Sequence, residues 1–211
     1  MFGDGSLSFH EFATREPHPL ARIHDAVLDF LRGRTDAVLY GAQAVNAYVD
    51  ESRMTQDVDI ATTRAADLAK ELRRFLSQKF HIAVRVCVIS MGIGYRVYQP
   101  RKPKNRHLID LRPIDVLPPC QRVKKVLVAT PPELIASKVV SMVNRSRKPK
   151  GFMDEADLRR LLLTFPELKT DKGPVAERLR AVAAPPEVWK AWKELVRQRI
   201  ESEKDEDEFD Y

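Results

Sequence analysis

With two cysteines in 211 residues, the chain has too few for a disulfide framework. Cys87 falls in a strand-like run and Cys120 beside Pro118 and Pro119, without the paired spacing of a zinc site, so both read as reduced, structural thiols. The five histidines, His10, His18, His24, His81 and His107, are scattered with no metal-ligand spacing. There is no serine nucleophile elbow, no glycine-rich dinucleotide fingerprint and no internal repeat. No apolar run approaches the roughly 18 residues that a membrane helix needs. Met1 to Pro17 carries Asp4, Glu11 and Glu16 and lacks the apolar core of a leader peptide. A cytoplasmic protein without a membrane partner is therefore expected.

What is present is ordinary in amount and uneven in placement. Hydrophobic residues make up 44% and charged residues 31%, a balance that supports a buried core and disfavours disordered or collagenous classes. The formal charge of +6 hides an asymmetry. Residues 201–211 carry seven acids against Lys204, a net of −6, which leaves +12 on residues 1–200. Such a body attracts polyanions, whether nucleic acid, a triphosphate or an acidic surface, while the acidic end reads as a solvated extension of the last helix.

Periodicity divides the chain in two. Leu20, Ile23, Val27, Phe30 and Leu31 recur at helical spacing, and Asp36–Tyr40 reads as a short buried strand closed by Gly41. Ala42–Tyr48 is helix-compatible, and Gln56–Ala61 alternates as a half-buried strand with Val58 and Ile60 on one face. Ala65–Lys79 is a second amphipathic helix. Strand-like runs follow at Ile82–Ile89, Gly94–Tyr98, Leu108–Leu111 and Val123–Ala129, with a basic, proline-bearing hairpin connection at Pro100–Arg106. From Thr130 the pattern is helical, with breaks at Pro166 and at Pro185–Pro186. This predicts an α/β (α+β) fold: a mixed sheet with flanking helices over residues 1–129, then a helical bundle with an acidic tail over 130–211.

The chemistry-bearing stretch is Tyr40-Gly41-Ala42-Gln43-Ala44, followed by Arg53-Met54-Thr55-Gln56-Asp57-Val58-Asp59-Ile60. Two carboxylates at i and i+2 of a strand share one side and repel unless a cation lies between them. Mg²⁺ is commonly held by one or two carboxylates together with substrate phosphates, so Asp57 and Asp59 suit a metal–triphosphate. An isolated Asp-x-Asp is most often a plain polar pair, and an isolated glycine only a tight turn. The two in order carry more weight, because a strand–Gly–helix junction offers backbone N–H groups to phosphate. Asp110, set in the apolar run His107-Leu108-Ile109-Asp110-Leu111, is a third acid that could complete a two-metal site.

Gly-Ala-x-Ala-Val-x-x-Tyr followed by Arg-x-Thr-x-Asp-x-Asp-Ile resembles the nucleotidyltransferase superfamily with the DNA polymerase β fold, and most closely its minimal and AbiEii-like members of toxin–antitoxin type. Pro132-Glu133-Leu134-Ile135-Ala136-Ser137-Lys138, with Arg145 and Asp154-x-x-Asp157-Leu158, is similar to the helical half of that group. The likeness runs from about Val38 to Leu163. It implies Mg²⁺- or Mn²⁺-dependent transfer of a nucleoside monophosphate from an NTP, ATP among them, to an acceptor hydroxyl. Asp57 and Asp59 would bind the metal and Asp110 would complete a second metal site and help deprotonate the acceptor. Gly41 and Ala42 would sit at the phosphates, and Lys138 would act on the β- and γ-phosphates. Arg53 would bind phosphate or anchor the turn before the strand, and Thr55 would shape that turn through a local hydrogen bond.

The chain departs from the family pattern at Ala42, where Ser or Gly is usual, so no hydroxyl is offered there and Gln43 is the candidate substitute. The basic insertion holding Arg145, Arg147, Lys148 and Lys150 reads either as a solvated loop or as a contact to an RNA backbone. An RNA end, tRNA first, is the favoured acceptor, and a toxin role would imply an antitoxin protein. Transfer to a small molecule or a protein is the alternative within the enzyme class. A nucleotide- or RNA-binding module without catalysis is the alternative outside it.

Overall fold

The computed structural model describes residues 16–89 and 92–201. The acidic segment anticipated at 201–211 lies outside them from residue 202 onward. The chain forms two compact units, one ending at Thr130 and the other beginning at Pro131.

The first unit is built on a seven-stranded mixed sheet. Helix α1 (Leu20–Leu31) leads into β1 (Ala37–Tyr40) and the short α2 (Gly41–Val45). Then come β2 (Val58–Thr62), α3 (Ala65–Phe80), β3 (Arg85–Ile89), β4 (Gly94–Gln99), β5 (Arg106–Pro113), β6 (Cys120–Val123) and β7 (Val126–Ala129). The order across the sheet is β3-β4-β5-β2-β1-β7-β6. Helix α3 buries Leu68, Leu72 and Leu76 completely, and α1 buries Ile23 and Val27. The two helices pack on one another and on the sheet, and Phe30 meets Phe75 at 4.9 Å between ring centroids. Apolar residues at i, i+3, i+4 and i+7 give each helix the single stripe that this packing needs.

The central strands set the site. β2 runs antiparallel to β1 and parallel to β5, with Tyr40 opposite Asp59 on one side and Asp110 opposite Asp59 on the other. Val58 and Ile60 are buried while Asp59 between them is half-exposed, as strand alternation requires. β4 pairs antiparallel with β5, and the register shifts between Val97 and Tyr98, which face Ile109 and His107 respectively. Leu108 is thus the extra residue of a bulge.

The second unit is helical: α4 (Pro131–Asn144), α5 (Pro149–Thr164), a 3₁₀ turn (Pro166–Leu168), α6 (Pro174–Ala181) and α7 (Pro186–Arg197). Proline opens α4, α5, α6 and α7, at positions where its missing N–H would have no helical partner. Trp192 is fully buried, and Trp189 lies beneath the Arg180 guanidinium at 5.9 Å.

Several elements depart from the sequence pattern: β3, expected from Ile82, begins at Arg85, and Lys150 of the expected basic loop lies in helix α5. The run Val123–Ala129 is broken into the hairpin β6–β7 by Lys124 and Lys125, both at positive φ (47° and 70°). That is the backbone of a two-residue hairpin turn, which usually takes Asn and Gly. The strand expected from Gln56 begins at Val58, leaving Asp57 in the bend just before it.

Candidate active site

Asp59 sits mid-sheet, with β1 ending on one side and Asp110 register-matched on the other. Gly41 immediately follows Tyr40, and its role is visible from the space it leaves. Its φ is +66°, in the left-handed region, and a β-carbon there would lie 2.0 Å from Asp59 Oδ2. The carboxylate of Asp59 therefore occupies the volume that any other side chain at 41 would need.

Asp110 is not left facing Asp59 alone. Arg96, opposite it on β4, forms a two-pronged ion pair, Nε to Oδ1 at 2.7 Å and Nη2 to Oδ2 at 2.6 Å. The pairing raises the guanidinium pKa, with the Asp110 hydrogen bond as the largest cause and Asp57 among the further contributors. Asp57 thus lies within electrostatic reach of Arg96. The bulge at Leu108 brings His107 to the same side of the sheet. Burial lowers the His107 pKa and the Arg96 cation lowers it further, while Asp110 and Asp57 act in the opposite direction.

Behind these carboxylates a buried polar network fixes the segment that delivers Asp57. The Asn46 amide donates to the Arg53 carbonyl at 2.8 Å, and its oxygen accepts from the Arg53 N–H at 3.2 Å. Gln43 Oε1 accepts from Thr55 Oγ1 at 3.1 Å and from Asn46 Nδ2 at 3.3 Å. Thr55 also lies 3.5 Å from His24 Nδ1 on α1. Gln43 is 4% exposed, and its side-chain oxygen belongs to this network. Thr55 bonds across to α2 and α1, not locally within its own turn as expected. The Arg53 guanidinium reaches the Met54 carbonyl at 3.2 Å, and its backbone is the part that Asn46 grips.

In the helical unit, Lys138 is 6% exposed and donates to Asp154 at 2.8 Å and to Asp157 at 2.7 Å. Arg145 adds a contact to Asp154 at 3.0 Å. Two buried carboxylates are balanced by one buried ammonium and one half-exposed guanidinium, the condition under which buried charge is tolerated. Both aspartates hold the lysine. Arg147, Lys148 and Lys150 are exposed, as is Phe152 on the first turn of α5.

Among the described residues no three His, Cys, Asp or Glu side chains gather at the spacing that encloses an ion. A nucleotide-borne Mg²⁺ or Mn²⁺ needs only one or two carboxylates, since phosphate oxygens and water fill the remaining positions. Asp57 and Asp59 have the hard oxygen chemistry for it, and the glycine cradle preserves room for the Asp59 carboxylate. Among the described residues no helix is long and apolar enough to cross a membrane.

Arg96, Asn46 and His107 were missed as site residues. The signal for Arg96 was a cation in the alternating run Gly94–Gln99, but its pairing with Asp110 depends on strand register, which no local pattern states.

Comparison with known proteins gives one family. The family described as "Nucleotidyl transferase AbiEii toxin, Type IV TA system" matches residues 25–208. No protein of curated function matches the sequence. Among solved structures, JHP933 from Helicobacter pylori is similar, with a TM-score of 0.56, 15% identity and coverage of 90% of each chain. The Megavirus polyadenylate synthase is also similar, with a TM-score of 0.59 and 13% identity over 78% of this chain and 35% of that one. At these identities the likeness concerns the fold.

Proposed function

The chain belongs to the family of AbiEii nucleotidyltransferase toxins of type IV toxin–antitoxin systems and is a nucleotidyltransferase; on that premise we propose that it moves a nucleoside monophosphate from an NTP to a hydroxyl at an RNA end, tRNA first. The acceptor hydroxyl gives up its proton to solvent as its oxygen bonds to the α-phosphorus, the bond from that phosphorus to the bridging oxygen breaks, and pyrophosphate leaves.

The observation that carries this reading is the alignment of Asp59 beside Asp110, with Gly41 shaped around the Asp59 carboxylate. Asp57 and Asp59 would hold a Mg²⁺ or Mn²⁺ ion. Such an ion, when bound, neutralises charge on the triphosphate and favours departure of pyrophosphate. Asn46 fixes the Arg53 backbone and so the approach of the segment carrying Asp57. The exposed Arg147, Lys148 and Lys150, with Phe152 on the same turn, support an RNA acceptor: cations track phosphates and an exposed ring offers a stacking surface. Lys138 is assigned to holding the helical unit together, since its ammonium is spent on two aspartates. A toxin acting this way would be restrained by an antitoxin partner.

The test is transfer of label from each α-³²P-NTP, with Mg²⁺, to total tRNA and to a protein extract, using wild type and Asp57→Ala. Label in tRNA that falls to background in the variant supports the reading. Label in protein alone would move the acceptor. Mg²⁺-dependent NTP binding without pyrophosphate release would make the chain a binding module and overturn the transferase mechanism.

A further inference from the structure

The third carboxylate of the site already has a cation. Asp110 receives both prongs of Arg96, and the pair is enclosed enough to persist, at 27% and 20% side-chain exposure. A planar guanidinium bound through two parallel hydrogen bonds is geometrically specified and does not drift as a lysine ammonium does. Arg96 is also placed by the sheet itself, opposite Asp110 in the β4–β5 register, so its position follows from backbone pairing and not from a flexible loop. Its field extends to Asp57 as well. The guanidinium thus stands among the site's acids, the position in which a second divalent ion would otherwise balance Asp110. The lack of any three-acid cluster among the described residues agrees with this arrangement.

We propose that Arg96 is a built-in substitute for a second metal ion, so that the site works with one divalent ion, the nucleotide-borne one on Asp57 and Asp59, and Asp110 serves to position Arg96. This rests on the reading of Asp57 and Asp59 as ligands. It revises the part first given to Asp110, from metal ligand to anchor of a fixed cation that faces charge developing at the acceptor end of the reaction. Because the cation cannot dissociate, acceptor-side activation would not depend on free metal concentration beyond that needed to bring in the nucleotide.

Ion counting tests the proposal without relying on turnover. The full-length protein is dialysed to equilibrium against Mn²⁺ and a saturating α,β-methylene ATP, and bound Mn²⁺ and bound nucleotide are counted per chain. Wild type is expected to hold one Mn²⁺ per bound nucleotide. Arg96→Ala, which uncovers Asp110, is expected to hold two, and Arg96→Ala combined with Asp110→Asn to return to one. Arg96→Lys, which keeps the charge, is expected to stay at one and guards against a count altered by misfolding, together with unchanged circular dichroism. Two Mn²⁺ per nucleotide in wild type, or one in a folded Arg96→Ala, would overturn the substitution while leaving the Asp57–Asp59 reading standing. Nucleotide bound with no Mn²⁺ in wild type would overturn both.

Discussion

The side chain of Asn46 grips the backbone of Arg53 at both of its polar groups, donating to the carbonyl at 2.8 Å and accepting from the N–H at 3.2 Å. An asparagine in this pose copies one rung of a β-ladder, pinning the loop between α2 and β2 without a strand. Asn46→Ala removes both bonds and leaves partly buried backbone groups without these partners. A loss of about 1–3 kcal/mol in urea unfolding is expected. The loop ahead of Asp57 is also expected to become more sensitive to limited proteolysis. Unchanged proteolysis would show that the clamp does not hold this loop.

Gly41 admits no replacement at its φ of +66° with Asp59 Oδ2 in the path of a β-carbon. Gly41→Ala must displace either the strand end or the carboxylate. Backbone strain of this kind costs about 1–3 kcal/mol. Nucleotide-dependent Mn²⁺ binding is expected to weaken at least tenfold even at temperatures where the variant remains folded. Calorimetric titration beside a thermal melt separates the two effects, and intact binding in a folded Gly41→Ala would remove the glycine from the site.

Lys138 offers a choice between structure and phosphate binding. If its ammonium balances Asp154 and Asp157, Lys138→Met should destabilise the protein by about 3–5 kcal/mol, the penalty for breaking one side of a buried ion pair. Adding Asp154→Asn and Asp157→Asn should recover much of that loss. A lysine that served only the triphosphate would instead leave denaturant stability unchanged and raise the NTP dissociation constant.

Arg147→Glu with Lys148→Glu reverses two exposed charges next to Phe152. Binding of tRNA, followed by fluorescence anisotropy, should weaken and show a shallower dependence on salt, since each lost phosphate contact removes one released counterion. NTP affinity should stay the same. A salt slope equal to wild type would place the RNA path elsewhere.

Asp36 supplies a pH test away from the site. Its carboxyl is held below the ordinary 3.8 chiefly by hydrogen bonding to Arg34, with burial opposing and Arg64 adding a further bond. A depressed acid stabilises the fold above its unfolded value and loses that contribution as pH falls through the folded one. Stability measured from pH 6 downward should therefore decline below about 4 more steeply in wild type than in Asp36→Asn. With Asp36 and Arg34 half-exposed and Arg64 exposed, the difference at pH 6 should be about 1 kcal/mol or less. Parallel curves would show that the cluster contributes nothing measurable.

Much of the architecture was legible because it is periodic. The stripes of α1 and α3 and the alternation around Asp59 are local patterns, and the structure reproduces them within a residue or two at most ends. The Lys124–Lys125 turn was not legible, since two lysines at positive φ contradict the usual turn chemistry and are outvoted by the strands they join. In the site, Gly41, Asp59 and Asp110 stood out as residues, but their relation did not. Register joins residues 51 positions apart, and the partner that claims Asp110 comes from yet another strand. Gln43 and Thr55 were visible as polar residues near the motif, yet their mutual bond arises from packing of α2 against the following loop.

The parallel pairing of β2 with β5 also has a meaning for the order of synthesis. A nascent chain that has reached Gln99 already carries Asp57, Asp59 and Arg96, but the strand that belongs between β4 and β2 has yet to emerge. Until β5 is added, β2 has no neighbour on that flank, and until β7 is added, β1 has none on its own outer side. The candidate acids are thus brought side by side only once β5 has emerged, and a chain interrupted before it carries Asp57 and Asp59 without the register partner Asp110.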